Sequence, residues 1–147
     1  MSEGRVDIIE GPDSGDRSIW EDVLAIKLNG VGFHTSMYSL CLGGRLDKMA
    51  KFHKERAIDE NKEFLVAVEK FVEMFKNQPR LYMTSPALPE HIDSEDQAMS
   101  LYEEWECNTL KKLIDCRSSL TKDGKQYLSE MIKDVVDEIA YICSVKY

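Results

Sequence analysis

The sequence predicts an all-α protein, an antiparallel four-helix bundle with one long crossover. Apolar residues recur at steps of three and four along four separate segments, which is the period of an amphipathic helix. Two of these segments open with a capping box, in which side chains satisfy the free backbone amides of a helix start. Three of the four prolines fall in one connection, residues 78–93, whose length is typical of a crossover between the ends of a bundle.

The first helix is predicted to begin at Ser18, whose capping box is completed by Glu21. Gly30 and Gly32 weaken this helix, since each costs about 1 kcal/mol relative to alanine in a helix interior. The glycine pair at 43–44 is a natural end. The residues predicted to be buried are Trp20, Val23, Leu24, Leu28, Val31, Tyr38 and Leu42.

The second helix has the clearest pattern, because Asp47 to Asn77 contains neither glycine nor proline. The third helix is predicted to begin at Ser94, with a capping box completed by Gln97. A turn over 118–124 leads to a fourth helix that starts at about Lys125. The apolar stripes of the last two helices are Ala98, Leu101, Tyr102, Trp105, Thr109, Leu113 and Ile114, then Leu128, Met131, Ile132, Val135, Ile139 and Ile142.

Length indicates a single domain, and charge argues against proteins that bind nucleic acids or anionic membranes. The 147 residues suffice for one domain, and the formal net charge of -8 opposes binding to the phosphates of nucleic acids or to anionic membranes. Residues 1–17 lack an apolar period, so we expect a flexible tail before a single domain over 18–147. No segment has the pattern of a secretory signal or the length of an apolar membrane span. The four cysteines form no C-x-x-C pair, and we expect reduced thiols in a cytoplasmic protein.

Four acidic residues fall within or beside the apolar stripes. Glu60 shares a row with Arg56 in the second helix, and Glu63 follows Glu60 by one turn. Glu104 lies at the edge of the third stripe, and Asp134 lies in the fourth helix. A buried carboxylate is costly unless it is paired or bound to a metal, and inward carboxylates from facing helices are the ligands of di-iron and di-manganese sites. This pattern predicts a metal site inside the bundle.

The same spacing also allows a second interpretation. With 27 acidic residues in the chain, some fall near a core edge by chance. Glu60 can pair with Arg56 four residues earlier, and Glu104 with Lys111 or Lys112 on a solvated flank. Spacing alone leaves the choice between a metal site and ion pairs open.

Residues 49–63, MAKFHKERAIDENKE, resemble the second helix of ferritins, where an F-A-K-F-F run leads to E-x-x-H. The resemblance to the ferritin-like family covers roughly residues 20–145. It implies a ferritin-like bundle, iron storage or ferroxidase activity, a di-iron or manganese cofactor, and a homo-oligomer. Further similar segments are 28–29 and 39–42 in the first helix, the start of the crossover ending at 87–89, 96–115 in the third helix and 127–140 in the fourth.

The sequence departs from the ferritin pattern at two ligand positions. The first-helix glutamate of the family corresponds to Thr35, or to His34 if the alignment shifts by one residue. The E-x-x-H of the second helix reads Glu60-x-x-Glu63, so its histidine is absent. The metal ligands that the resemblance implies are Glu60, Glu63, Glu104, Asp134 and His34.

Two other functions are open at this point. The chain can be a metal-free helical-bundle interaction protein that has lost the di-iron site, which the two departures favour. It can also be an enzyme of another class, such as an oxygenase or peroxidase, although no residue pattern argues for one. There is no P-loop, no G-x-G-x-x-G and no local signature of a nucleophile paired with a histidine.

Overall fold

The computed structural model describes residues 16–146, and all the regular secondary structure in this part is helical. The all-α class and the four-helix bundle with a long crossover are confirmed. Most of the predicted tail, residues 1–15, lies outside the described residues. The helices are α1 (Asp16–Gly43), α2 (Asp47–Phe75), α3 (Glu95–Ser119) and α4 (Lys122–Lys146).

The four helices form two antiparallel pairs. α1 packs along α2, α3 packs along α4, and α1 also packs against α3. The start of α1 meets the ends of α2 and α3 and the start of α4 in one apolar cluster. The segment 76–94 therefore carries the chain back along the bundle, so that α2 and α3 run in the same direction. This is the topology of a bundle with one crossover connection.

The predicted helix starts are correct to within three residues. Ser94 caps α3, because its hydroxyl accepts a hydrogen bond from the Gln97 amide at 3.1 Å. The predicted start of the first helix at Ser18 is two residues late. The helix begins at Asp16, whose carboxylate accepts a hydrogen bond from the Thr121 hydroxyl at 2.6 Å. α4 begins at residue 122, three residues before the prediction.

The second helix ends two residues earlier than its pattern predicts. Lys76 adopts a left-handed conformation, with φ 54°, and its amide donates to the Val72 carbonyl at 2.9 Å. This single bond closes the last turn and directs the chain into the crossover.

The crossover lies along α1 and is fixed to it at intervals. The Arg80 amide donates to the Glu21 carboxylate at 2.6 Å, and the Thr84 amide donates to the Asn29 side chain at 3.0 Å. Further on, the buried side chain of Ile92 lies beside Gly44. A Cβ atom at Gly44 would come within 2.6 Å of the Ile92 carbonyl oxygen, so this close approach requires glycine.

The apolar core is divided into two clusters, one toward each end of the bundle. The first cluster holds the start of α1 and the end of α2, and the second holds the end of α1 and the start of α2. The buried residues of the first cluster are Trp20, Val23, Leu24, Phe64, Ala67, Phe71, Leu113, Leu120 and Leu128. Those of the second cluster are Phe33, Met37, Cys41, Ala50, Ile92, Ala98, Tyr102 and Ile142.

Two residues that the apolar stripes place in the core are instead exposed. Leu42 is 49% exposed and Ile114 is 48% exposed. Each lies at the margin of its stripe, and a helix in a bundle buries only the arc that faces its neighbours. Within residues 16–146, no helix combines the length and the apolar character that crossing a membrane requires.

Candidate functional site: a buried polar layer

Between the two apolar clusters lies a layer of charged and polar side chains contributed by all four helices. We call this set the polar layer. In each helix its members fall between a residue of the first cluster and a residue of the second. Its residues are Lys27 of α1, Arg56 and Glu60 of α2, Tyr102 and Glu106 of α3, and Glu138 of α4.

Arg56 joins two carboxylates of the polar layer. Its guanidinium Nη2 lies 3.0 Å from Glu138 Oε1 across the bundle and 3.4 Å from Glu60 Oε1 on the same helix. Burial lowers the pKa of Arg56, but the fields of Glu138 and Glu60 outweigh burial and raise it above its ordinary value. Arg56 therefore carries a fixed positive charge at the centre of the bundle.

Lys27 supplies a second positive charge from α1. Its ammonium lies 2.8 Å from Glu63 and 4.0 Å from Glu60. Burial lowers the pKa of Lys27, but the two carboxylates together raise it above its ordinary value. Burial is also the main reason that the pKa of Glu60 is raised, and the neighbouring cations only partly oppose it.

Glu106 is the most buried acid of the polar layer, with 3% of its surface exposed. Burial, a hydrogen bond with Glu138 and the charge of Glu138 together raise the pKa of Glu106 far above its ordinary value. Burial and the neighbouring carboxyl group therefore favour the protonated form of Glu106. Tyr102 donates a further hydrogen bond from its hydroxyl to Glu138 Oε2 at 3.2 Å. Burial and the charge of Glu138 raise the pKa of Tyr102, so it remains a neutral donor.

A cavity of about 40 Å³ lies within the polar layer. Its lining includes Glu60, Glu106 and Glu138, so carboxyl groups from three helices border one space. Gly30 also lines it, and a Cβ atom there would lie 3.5 Å from Glu60 Oε1. The Oε2 atom of Glu106 is buried and has no hydrogen-bond partner among the described residues. A space of this size has room for one or two small ligand atoms or waters, on the order of 10–15 Å³ each.

A wider groove of about 360 Å³ lies between α2 and α4, outside the cavity. Lys27, Glu63 and Asp134 line both the groove and the cavity, so the two spaces adjoin. α2 and α4 share far fewer contacts than α1 and α2 do. The seam between α2 and α4 therefore opens a groove that adjoins the cavity of the polar layer.

Two buried histidines face each other beside the polar layer. The Nδ1 atoms of His34 and His53 are 2.9 Å apart, so one ring donates a proton and the other accepts it. Burial, with the charges of His53 and Arg56, lowers the pKa of His34 to about 2, and burial with the charge of Arg56 lowers that of His53 to about 4. The rings are held among the aromatic side chains of Phe33, Phe52 and Tyr102. This pair is neutral at physiological pH.

The structure brings together only part of the predicted ligand set. Glu60, Glu63 and Asp134 border one cavity, but Asp134 is an exposed residue and Glu63 is half exposed. Glu104 is exposed and does not border the cavity, because the third helix turns this residue away from its partners. His34 is buried but pairs with His53 rather than with a carboxylate.

Sequence reasoning missed Glu106 and Glu138, although a signal for both is present. Glu106 follows Tyr102 by four residues, and Glu138 follows Val135 by three, so each continues a buried row. The sequence analysis instead chose Glu104 and Asp134, each three residues after an apolar residue. Glu104 and Glu106 differ by only two positions, which is 200° around a helix, and this decides which one is buried.

The side chains of the polar layer do not fit a two-metal centre. Such a centre needs several carboxylates free to bind two dications, whereas here Arg56 and Lys27 lie against Glu60. Glu106 carries a proton rather than a free charge. Across the described residues, no three His, Cys, Asp or Glu side chains are grouped closely enough to hold a metal ion. Comparison of the chain with protein-family models and with curated proteins gives no match.

Proposed function

We propose that this chain is a metal-free helical-bundle interaction protein, in which side-chain cations and one proton occupy the role that metal ions have in di-metal bundles. The observation that carries this proposal is the position of Arg56, which spans Glu60 and Glu138 at the centre of the bundle. A guanidinium in that place neutralises the same carboxylates that a metal would bind.

The charges of the polar layer balance without any added ion. Lys27 and Arg56 contribute two positive charges against the two interior carboxylates Glu60 and Glu138, and Lys27 also pairs with Glu63, which is half exposed. The third interior acid, Glu106, is neutralised by its proton. A bound dication would have to displace the proton of Glu106 or displace Arg56, and the second displacement leaves the guanidinium buried without its partner.

The outer surface supports a role in association rather than in catalysis. The described part of the chain exposes several large apolar side chains, and clustered apolar surface marks sites of protein contact. Several of them lie on the outer faces of α2 and α4, away from the polar layer: Ile58, Leu65 and Val72 on α2, and Val136, Tyr141 and Val145 on α4.

Metal loading tests this proposal. The full chain is incubated anaerobically with Fe(II) or Mn(II), desalted and analysed for metal per chain. We expect no stoichiometric metal in the wild-type chain. An Arg56→Gln variant is the comparison, because it removes the resident cation and should gain affinity for divalent ions. Retention of about one or two ions per wild-type chain, lost on Glu60→Ala, would contradict the proposal.

The second candidate function is binding of a single hard cation, iron or manganese, with the ferritin-like kinship and ferroxidase activity that the resemblance implies. The observation that favours it is the unpartnered Oε2 atom of Glu106 beside a cavity that Glu60 and Glu138 also border. Those three residues would have to move closer together to hold the ion, since the described residues include no such group in place, and the ion would supply redox chemistry. Glu106→Gln should then abolish metal retention, whereas the exposed control Glu104→Gln should keep it.

A further inference from the structure

An apolar row runs along the outer face of α2. Ile58, Leu65 and Val72 are seven residues apart, so they lie on one side of the helix. Their exposed fractions are 48%, 52% and 41%, so the bundle itself does not cover them. A seven-residue apolar repeat on an exposed helix face is the pattern with which one helix packs against another.

A row of alternating charges lies beside the apolar row. It consists of Glu55, Lys62, Glu69 and Lys76, which are also seven residues apart and are all exposed. Each lies three residues before or four residues after a member of the apolar row, hence on the adjoining strip of surface. In the described part of the chain, none of the four forms a salt bridge. Their charges are therefore available for ion pairs with a partner helix.

We infer that the occupant of this face is a second copy of the chain, packed so that the two α2 helices run antiparallel about a two-fold axis near Leu65. This inference rests on the association role proposed above. Leu65 then meets Leu65 of the second copy, and Ile58 meets Val72 of the second copy. In the same register Lys62 lies within one residue, about 1.5 Å along the helix axis, of the level of Glu69 of the second copy. One two-fold axis thus brings apolar residues against apolar residues and opposite charges near each other.

The charge row decides between the possible arrangements. In the antiparallel register Lys62 and Glu69 each lie near their opposite charge on the second copy, and Glu55 lies toward the end of α2 that Lys76 caps. In a parallel pair at equal register, Lys62 would face Lys62 and Glu69 would face Glu69. A shift of the antiparallel pair by one heptad on either helix would also set like charges together. The row is therefore complementary to its own copy in one orientation.

Sedimentation velocity over a range of concentrations tests the inference on the full chain. We expect a dimer for the wild-type chain. Leu65→Glu should weaken the dimer about 100-fold or more, because it places two like charges opposite each other at the axis. The control Ile114→Glu, at a residue 48% exposed on α3, should leave the dimer unchanged. Helical content and melting temperature are measured for each variant, so that a folding defect is recognised.

Charge reversal tests the orientation. Lys62→Glu should weaken the dimer about tenfold, since two attractive pairs become repulsive, and the double variant Lys62→Glu with Glu69→Lys should restore it. A parallel pair would not respond in this way, because its like-charge contacts would remain.

Three outcomes would overturn the inference: a wild-type chain that stays monomeric at all concentrations, a dimer that Leu65→Glu leaves intact, and a dimer indifferent to Lys62→Glu. The metal measurement is independent of these outcomes. Metal retention by the wild-type chain would remove the metal-free function and leave the dimer result standing.

Discussion

The centre and the ends of this bundle are stabilised in different ways. At each end, side chains such as Phe71 and Met37 are removed from water by apolar contacts alone, which tolerate small shifts. In the centre, Glu60 and Glu138 stabilise the charge of Arg56, and Arg56 in turn stabilises the charges of both acids. The apolar ends supply stability, whereas the centre demands that every charge keep its partner.

Because of this difference, residues in the centre differ in how many charged partners their loss leaves unpaired, which has no counterpart at the ends. Arg56 serves two acids, so its loss affects both. Glu60 is one of two acids for each of its cations, since Lys27 also contacts Glu63 and Arg56 also contacts Glu138. Its loss therefore leaves no cation unpaired. The number of partners that each residue leaves behind sets the expected order of the following effects.

The largest effect is expected from Arg56→Leu. This change leaves Glu60 and Glu138 without their shared cation inside the bundle, and we expect a loss of about 3–5 kcal/mol in the free energy of unfolding. Urea titration followed by circular dichroism measures it. The control Lys54→Leu, on an exposed position of the same helix, should change stability by less than about 0.5 kcal/mol. Equal effects of the two changes would refute the role assigned to Arg56.

A somewhat smaller effect is expected from Leu113→Ala in the first cluster. The side chain is buried, and its truncation should cost about 3 kcal/mol through lost burial and the cavity that remains. The same substitution at Leu65 should cost well under about 1 kcal/mol in a monomer, because that residue is half exposed. Stability of both variants is compared under dilute conditions. A cost at Leu65 that matches Leu113 would mean that the outer face of α2 is buried.

The histidine pair predicts a loss of stability in acid. The folded-state pKa values of His53 and His34, about 4 and about 2, lie below the ordinary value of 6.5, so the unfolded chain takes up protons first. Stability is therefore fully present above pH 6.5 and falls as the pH drops toward 4. Unfolding at pH 7 and pH 5 should show this for the wild-type chain and for the exposed control His91→Gln. The double variant His34→Leu with His53→Leu should no longer lose stability in acid, and should keep only the opposite dependence of Glu106, whose raised pKa favours the folded state as the pH falls.

The smallest effect is expected from Glu60→Leu. Lys27 and Arg56 each keep another carboxylate, so the change should alter stability by less than about 1 kcal/mol and can even be stabilising. The two substitutions compare a residue whose loss leaves no partner unpaired, Glu60, with one whose loss leaves two acids without their cation, Arg56. If Glu60→Leu lowered the free energy of unfolding as much as Arg56→Leu, the number of unpaired partners would not determine the effect.

The fold was largely readable from the sequence, since apolar period, capping and proline placement act locally. The Ser94 capping box and the glycine-free run of α2 needed no knowledge of the partner helices. The errors at Ser18 and Asn77 are two residues each, and tertiary contacts explain the first: the bond from Thr121 holds Asp16 in α1. Exposure of Leu42 depends on which neighbour covers which arc, and this is not a local property.

The site was only partly readable. Glu60 and Arg56 were placed on one inward row, and their pairing was one of the two interpretations left open. The partner of Arg56 across the bundle, Glu138, depends on the relative rotation of α2 and α4, which no local pattern encodes. Glu106 was missed because Glu104, two positions earlier and about 200° around the helix, was preferred to it, although Glu106 continues the row of the buried Tyr102.

The central claim is that a proton on Glu106, with Arg56 and Lys27, neutralises the polar layer. Infrared spectroscopy at neutral pH tests it most directly, because a protonated carboxyl group absorbs apart from a carboxylate. We expect a buried protonated carboxyl absorption in the wild-type chain and in the exposed control Glu104→Gln, absent from Glu106→Gln and unchanged by added Mn(II). A spectrum without that absorption, or one from which Mn(II) removes it, would contradict the account and place a cation where we place a proton.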